Sequence, residues 1–316
     1  MHIRSGRRIL DDLKIVVNGV RGSSLGISLS RKLPLEVETR WLSKLKSARA
    51  YKECAAELFG HRDRHKLPED VKRALDSLYM KRTEFDDVLC ILEQFEEYIE
   101  FFQRDAALLC EVWPKWHELR ERFHTLVTTS DSDLLCALGR SAYKCMLRKE
   151  DDGIITKFHR MATLLHPKRR KLRLLATDDE RKKVVRDLKD LLRNSSNVLS
   201  HSSQPNASKR PRTAYDDDSD SENDSLSEID TYLNSHFTFI DSAGQEHDDP
   251  LVAWQARASD FPQLSRLVLQ LYAIPASTAV AERSFSDLRN LIHEKRESIS
   301  PESVFNSLII RSLMNL

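Results

Sequence analysis

The stretch FDDVLCILEQFEEYIEFFQRDAALL, residues 85–109, decides how the chain folds. Its apolar residues Phe85, Val88, Leu92, Phe95, Ile99, Phe102, Ala106 and Leu109 recur at alternating spacings of three and four. A helix turning every ~3.6 residues places all of them on one stripe. The spacing therefore predicts a long amphipathic helix. Such a repeat also suits an intermolecular coiled coil, but Phe at three seam positions and Pro114 soon afterwards favour packing inside a helical domain.

The same period recurs outward in both directions. Upstream, Ile9, Leu13, Val16, Val17 and Val20 make one stripe, and Trp41, Leu42, Leu45, Ala48, Ala55, Leu58 and Phe59 another. Downstream, Thr177 followed by Asp178, Asp179 and Glu180 reads as a capping box, and Val184, Val185, Leu188, Leu191 and Leu192 supply the buried face of a helix ending near Asn194. From Asn194 to Asn234 the composition turns to Ser, Asn, Asp, Glu and Pro, which reads as a disordered linker. It begins basic, Lys209 to Arg212, and continues acidic from Asp216 to Asp230 with eight carboxylates. Ser219, Ser221 and Ser225 suit kinases there, although a solvated spacer is the simpler reading. Order resumes near Pro250. Phe261, Leu264, Leu267, Val268, Leu271 and Tyr272 predict a helix with Pro262 in its first turn, followed by a break at Ile274-Pro275. Further helices are expected from about Thr278 to His293 and from Ser300, the last with Val304, Phe305, Leu308, Ile309 and Leu313 on its face.

Composition removes several classes of function. Only eight glycines are present, and Gly19, Gly22 and Gly26 fit neither dinucleotide nor P-loop spacing, so no phosphate-cradling loop is expected. No run approaches the ~20 apolar residues of a bilayer crossing, so no membrane partner is expected. Met1 to Ile9 lead into no cleavable apolar segment, which places the expected start of the chain in the cytosol. Five widely spaced cysteines are an odd number and read as reduced thiols. Fifty Lys plus Arg against forty-nine Asp plus Glu leave a net charge of +1, so any charge effect must be local.

The carboxy-terminal block from Asp249 to Leu316 resembles the dimerisation region of hAT-superfamily DNA transposases. The resemblance is carried by Asp249-Pro250-Leu251 leading to Trp254, Phe261-Pro262-Gln263-Leu264, Tyr272-Ala273-Ile274-Pro275-Ala276-Ser277, Ala281-Glu282-Arg283-Ser284-Phe285-Ser286 and Ile292-His293-Glu294-Lys295-Arg296. Glu38-Thr39-Arg40-Trp41-Leu42-Ser43 resembles the family's Thr-Arg-Trp segment. Leu164-Leu165-His166-Pro167-Lys168-Arg169 resembles, less well, a Leu-Asp-Pro-Arg signature, with His166 in place of the acid. The resemblance implies a mainly α chain with four parts: residues 1–48 as a remnant of an RNase H-like core, with residues 1–40 poorly packed; 49–193 as a helical insertion domain; 194–235 as the linker; and 249–316 as the dimerisation module.

The same resemblance places Glu282 at the third of three acids that hold two divalent metals in the family. The first two lie upstream of the Thr-Arg-Trp segment, where this chain offers Asp11 and Asp12, both in a helical pattern without a preceding strand. One carboxylate cannot hold two metals, so the expected protein is non-catalytic, and Glu282 a solvated or paired acid. Leu267, Leu271, Phe285, Leu288, Val304, Phe305, Leu308, Ile309 and Leu313 are the candidate dimerisation residues, with a second copy or a full-length hAT transposase as partner. The basic run Lys168, Arg169, Arg170, Lys171 and Arg173 could bind DNA phosphates, or act with Lys209 to Arg212 as a nuclear import signal; a solvated helix face is equally compatible. Two other readings compete: an incomplete piece of an active transposase, and a DNA-binding adaptor. Cys54, His61 and His65 lack a fourth ligand, so no metal site or cofactor is expected. Trp113 and Trp116 around Pro114 read as core or interface rather than a base-stacking platform.

Overall fold

The computed structural model describes residues 2–36, 41–61, 63, 66–104, 107–173, 175–202, 228–235, 249–279 and 282. The described residues are mainly helical and contain no strand. They form two compact units: Met1–Phe101 with Trp116–Ile154, and Phe102–Lys115 with the described residues from Ile155 onward.

The first unit is built from α1 (His2–Arg21), α2 (Ser24–Ser28), α3 (Trp41–His61), α4 (Glu69–Met80), α5 (Arg82–Phe102), most of α6 (Leu109–Thr129) and α7 (Asp133–Asp151). The stripe Ile9, Leu13, Val16, Val17 and Val20 lies fully inside, in one core with Leu45, Tyr51, Leu58, Leu75, Phe85 and Leu92. Within residues 1–40, expected to be poorly packed, the helix His2–Arg21 instead lies in this core. The reason is geometric: every third or fourth residue of α1 is apolar, and α4 and α7 pack against it. Asp12 accepts a hydrogen bond from Ser77 Oγ at 2.7 Å, joining α1 to α4. Arg49 reaches across to α5 with both terminal guanidinium nitrogens on Glu96 at 2.7 Å. A second cluster gathers Tyr98, Leu119, Phe123 and Met146, with Phe95 at 5.1 Å from Phe123.

Two boundaries differ from the sequence reading. The helix of residues 85–109 ends at Phe102, and Leu109 starts the next one, so the stripe is shared between two helices. The interval 49–193 is divided between the units rather than forming one domain. Cys54 donates to the Ala50 carbonyl at 3.0 Å from a buried position, and burial pushes its thiol up to about 11; His65 lies outside the described residues. Among the described residues no group of three or more His, Cys, Asp or Glu could hold a metal ion, and no helix is long and apolar enough to cross a membrane.

The second unit holds the start of α6, α8 (Lys157–Leu164), a 3-10 turn (Pro167–Arg169), α9 (Asp178–Ser202), α10 (residues 228–234), α11 (Pro250–Ala256) and α12 (Pro262–Tyr272). The Thr177 capping box forms: Thr177 N donates to Glu180 at 2.9 Å and Glu180 N to Thr177 Oγ1 at 3.3 Å. Val184, Leu188 and Leu192 are buried as the period requires. The helix runs eight residues past Asn194, to Ser202, because Ser and Asn near a helix end weaken a helix without breaking it. Within the interval 194–235, expected as a linker, residues 194–202 and 228–234 are helical, and residues 203–227 lie outside the described residues.

Helix α8 opens on another capping box in which Thr156 N donates to His159 Nδ1 at 3.0 Å. Only a neutral imidazole can accept there, and burial holds the His159 pKa below its ordinary value. The unfolded chain therefore takes up a proton that the folded one refuses. The contribution is fully present above about pH 6.5 and fades as pH falls below it. Thermal melting of the second unit should drop between pH 7 and pH 5, and the drop should shrink in His159→Gln, which keeps a capping acceptor without a titrating one. An identical acid response in both proteins would remove this assignment.

Candidate functional site

The residues singled out near the carboxy terminus meet the chain's own middle through a set of backbone carbonyls. A helix leaves its last carbonyls without intrahelical donors. In α8 the Leu165 amide still donates to Met161, but the His166 amide turns back to Thr163 at 3.1 Å in a tighter turn. Ala162, Leu164 and Leu165 then receive side-chain donors from the carboxy-terminal helices. Tyr272 Oη donates to Ala162 O at 3.3 Å, Tyr232 Oη to Leu164 O at 3.0 Å and Trp254 Nε1 to Leu165 O at 2.8 Å. All three rings are buried, so each bond replaces water that cannot reach the carbonyl.

A fourth carbonyl is freed by sequence. Pro114 lies inside α6 and has no N–H to offer Cys110 O, one turn earlier. Thr163 Oγ1 at 3.1 Å and Arg169 at 3.3 Å take that acceptor instead. Burial pushes the Tyr232 and Tyr272 phenols well above their ordinary value and the Cys110 thiol up to about 12, so all three stay protonated at neutral pH.

Around these bonds the apolar surfaces close. Tyr232, Trp254 and Phe261 form an aromatic group with centroids 5.1, 6.2 and 6.3 Å apart. Leu264, Leu267, Val268 and Leu271 bury the inner face of α12. Glu228 of α10 accepts from the amides of Gln263 and Leu264 at 3.2 and 3.0 Å, capping the start of α12 where its orphan donors and positive dipole end lie. Pro262 sits in that first turn, as its place in the sequence predicts. Sequence reading misses α10 altogether; Ile229 and Tyr232, three apart and both fully buried, are its signal among acids and serines.

The structure redistributes the sequence-predicted residues. Leu267 and Leu271, read as docking residues, are buried within the chain itself, since an apolar stripe reports that a face is covered and not by what. Phe285, Leu288, Val304, Phe305, Leu308, Ile309 and Leu313 lie outside the described residues. The basic run is split: Arg169 and Arg170 hold Cys110 O and Ser235 O, while Lys168, Lys171 and Arg173 are exposed. Trp113 is buried beneath the Arg160 guanidinium at 5.2 Å, which closes its face to bases. Glu282 is exposed and accepts from Thr278 Oγ1 at 3.0 Å.

This self-capped module coincides with a known family region. Residues 228–314 match the hAT family C-terminal dimerisation region. The match supports a carboxy-terminal part of hAT-transposase type, with a dimerisation role. It begins at α10, the helix that carries Tyr232, rather than at Asp249. No curated protein matches the chain.

Proposed function

We propose that the chain is a transposon-derived, non-catalytic nuclear protein that works by self-association through its hAT-type module. The observation that carries this is the match over 228–314, in a segment whose first three helices are built into the chain's own core through Tyr232, Trp254 and Tyr272. A module so anchored is a firm platform for presenting whatever follows it. The non-catalytic part draws support from Asp11 and Asp12: Asp11 is exposed on α1, and Asp12 accepts from Ser77, joining α1 to α4. Glu282 belongs with them, bonded to a threonine one turn away. The assignment of residues 1–48 to an RNase H-like remnant, and the nuclear location, rest on the family resemblance and on the basic runs.

Light scattering of the full chain at tens of micromolar should give the mass of a dimer. Phe305→Asp combined with Leu308→Asp should return it to a monomer, because two carboxylates cannot enter an apolar contact without a partner charge. A wild-type monomer would remove the dimerisation reading. DNA strand cleavage by the purified protein with magnesium or manganese would remove the non-catalytic one.

A further inference from the structure

Where α1 ends, the chain doubles back and builds a cleft. A Cβ at Gly26 would stand 2.3 Å from the Val20 carbonyl oxygen, so α2 lies against the end of α1 more closely than a side chain there would permit. Ser23 Oγ donates to Val20 O at 2.7 Å, and the Gly26 amide donates to Ser23 Oγ at 3.3 Å, which closes that turn. Beyond α2, Ser30 Oγ donates to Glu57 at 2.7 Å and Arg31 pairs with Glu53, both acids of α3. Ser47 Oγ donates to Pro34 O at 2.5 Å and fixes the other wall. The cleft measures about 670 Å³ and lies wholly within the first unit.

Its floor and its rim differ in chemistry. Leu29 and Leu33 are buried beneath it, whereas Ile27 stands beside it with 85% of its surface exposed. Arg21, Lys32 and Lys46 line the walls, all exposed and none with an acid partner among the described residues. Neighbouring cations, by contrast, are paired: Arg31 with Glu53, Lys44 with Glu36, Arg49 with Glu93 and Glu96, and Lys52 with Asp86. Uncompensated cations around a low-dielectric cleft raise a positive potential that draws anions. Among the described residues no aromatic ring lines the cleft, so it offers a nucleic-acid base nothing to stack on. Residues 32–36 form no regular element, and the amides of Lys32 and Leu35 donate to no described residue, which leaves them open to the carbonyls that a peptide brings.

We infer that this cleft binds an acidic peptide segment of a partner protein, with carboxylates against Arg21, Lys32 and Lys46 and an aliphatic side chain against Ile27 and the floor. Charge complementarity supplies the first half of the match and the exposed isoleucine the second. Because the walls are already tied down, little ordering is lost on binding. The cleft lies outside the matched region 228–314, so this inference stands independently of self-association.

The test is fluorescence anisotropy of a labelled synthetic peptide, Asp-Asp-Glu-Leu-Asp-Asp-Glu-Leu, titrated with the full chain. The wild type should bind it, and Lys32→Glu with Lys46→Glu should weaken binding by about tenfold or more, since steering and pairing are both reversed. The melting temperature should hold, because neither lysine has an ion pair to lose. If the glutamate pair melts lower, Lys32→Ala with Lys46→Ala carries the same expectation. A wild type that does not bind the peptide, or binding that neither lysine pair changes, overturns the site. Equal binding of a peptide with serine in place of both leucines overturns the apolar half of the match. A short DNA duplex that binds through the same lysines while the peptide does not overturns the peptide reading. Peptide binding that appears only after Asp216, Asp217, Asp218 and Asp220 are changed to Asn assigns the cleft to the chain's own acidic run and overturns the partner.

Discussion

Trp254→Ala should destabilise the second unit by about 3–5 kcal/mol, the range for removing a buried aromatic side chain. Trp254 is 1% exposed, touches Tyr232 and Phe261, and supplies the donor to Leu165 O. Its loss leaves a large void and an unsatisfied carbonyl at the end of α8. Since whole domains are stable by only ~5–15 kcal/mol, much of the unit's margin would vanish. Trp254→Phe separates the two contributions, because the ring is mostly kept and the donor is not. It should cost about 1–3 kcal/mol, the penalty for stranding one buried polar group. Hydrogen exchange reads both without relying on tryptophan fluorescence: amides of α8, α9 and α12 should lose protection, while those of α1 and α4 keep theirs. Unchanged protection in α8 with Ala at 254 would show that the carbonyl caps do not hold this unit together.

Gly19→Ala should destabilise the first unit, against the sign that helix propensity gives. Alanine in a helix interior is ordinarily favoured over glycine by ~1 kcal/mol. Here a methyl at position 19 would stand 2.2 Å from Val71 Cγ2, well inside contact distance, on the face where α1 meets α4. Val71 is 2% exposed and β-branched, so it has little room and one strongly preferred rotamer. Overpacking of this kind costs about 1–3 kcal/mol. The decisive comparison is a double-mutant cycle. Val71→Ala alone should be destabilising through its cavity, yet Gly19→Ala with Val71→Ala should be more stable than the sum of the single changes predicts, because the new methyl fills the space the valine leaves. Additive effects in urea melts would mean that the two helices do not meet closely at this point.

What can be read from the sequence is what is local. The Thr177 capping box needs residues three apart, and Pro262 needs only its own ring, so both are legible in the order of residues alone. The α1 stripe is equally clear as a pattern, but its burial at the centre of a core depends on α3, α4 and α7, which no period within α1 reveals. Arg169 and Arg170 look like part of one cationic surface because their acceptors stand 59 and 65 residues away in the chain. Tyr232 is hidden for the same reason: its hydroxyl bonds a carbonyl 68 residues upstream, and its neighbours are the acids and serines of a spacer. Leu267 and Leu271, expected as dimerisation residues, are buried in the chain itself, and hydrophobic period carries no information about whose surface does the covering.

The three aromatic caps on α8 bear on how this protein can be cut into pieces. A bait for interaction trapping that starts at the Asp-Pro-Leu motif would discard the Tyr232 hydroxyl, the Glu228 carboxylate that caps α12, and the α8 carbonyls, leaving Trp254 and Tyr272 with nothing to donate to. Silence from such a clone would describe the scissors and not the polypeptide.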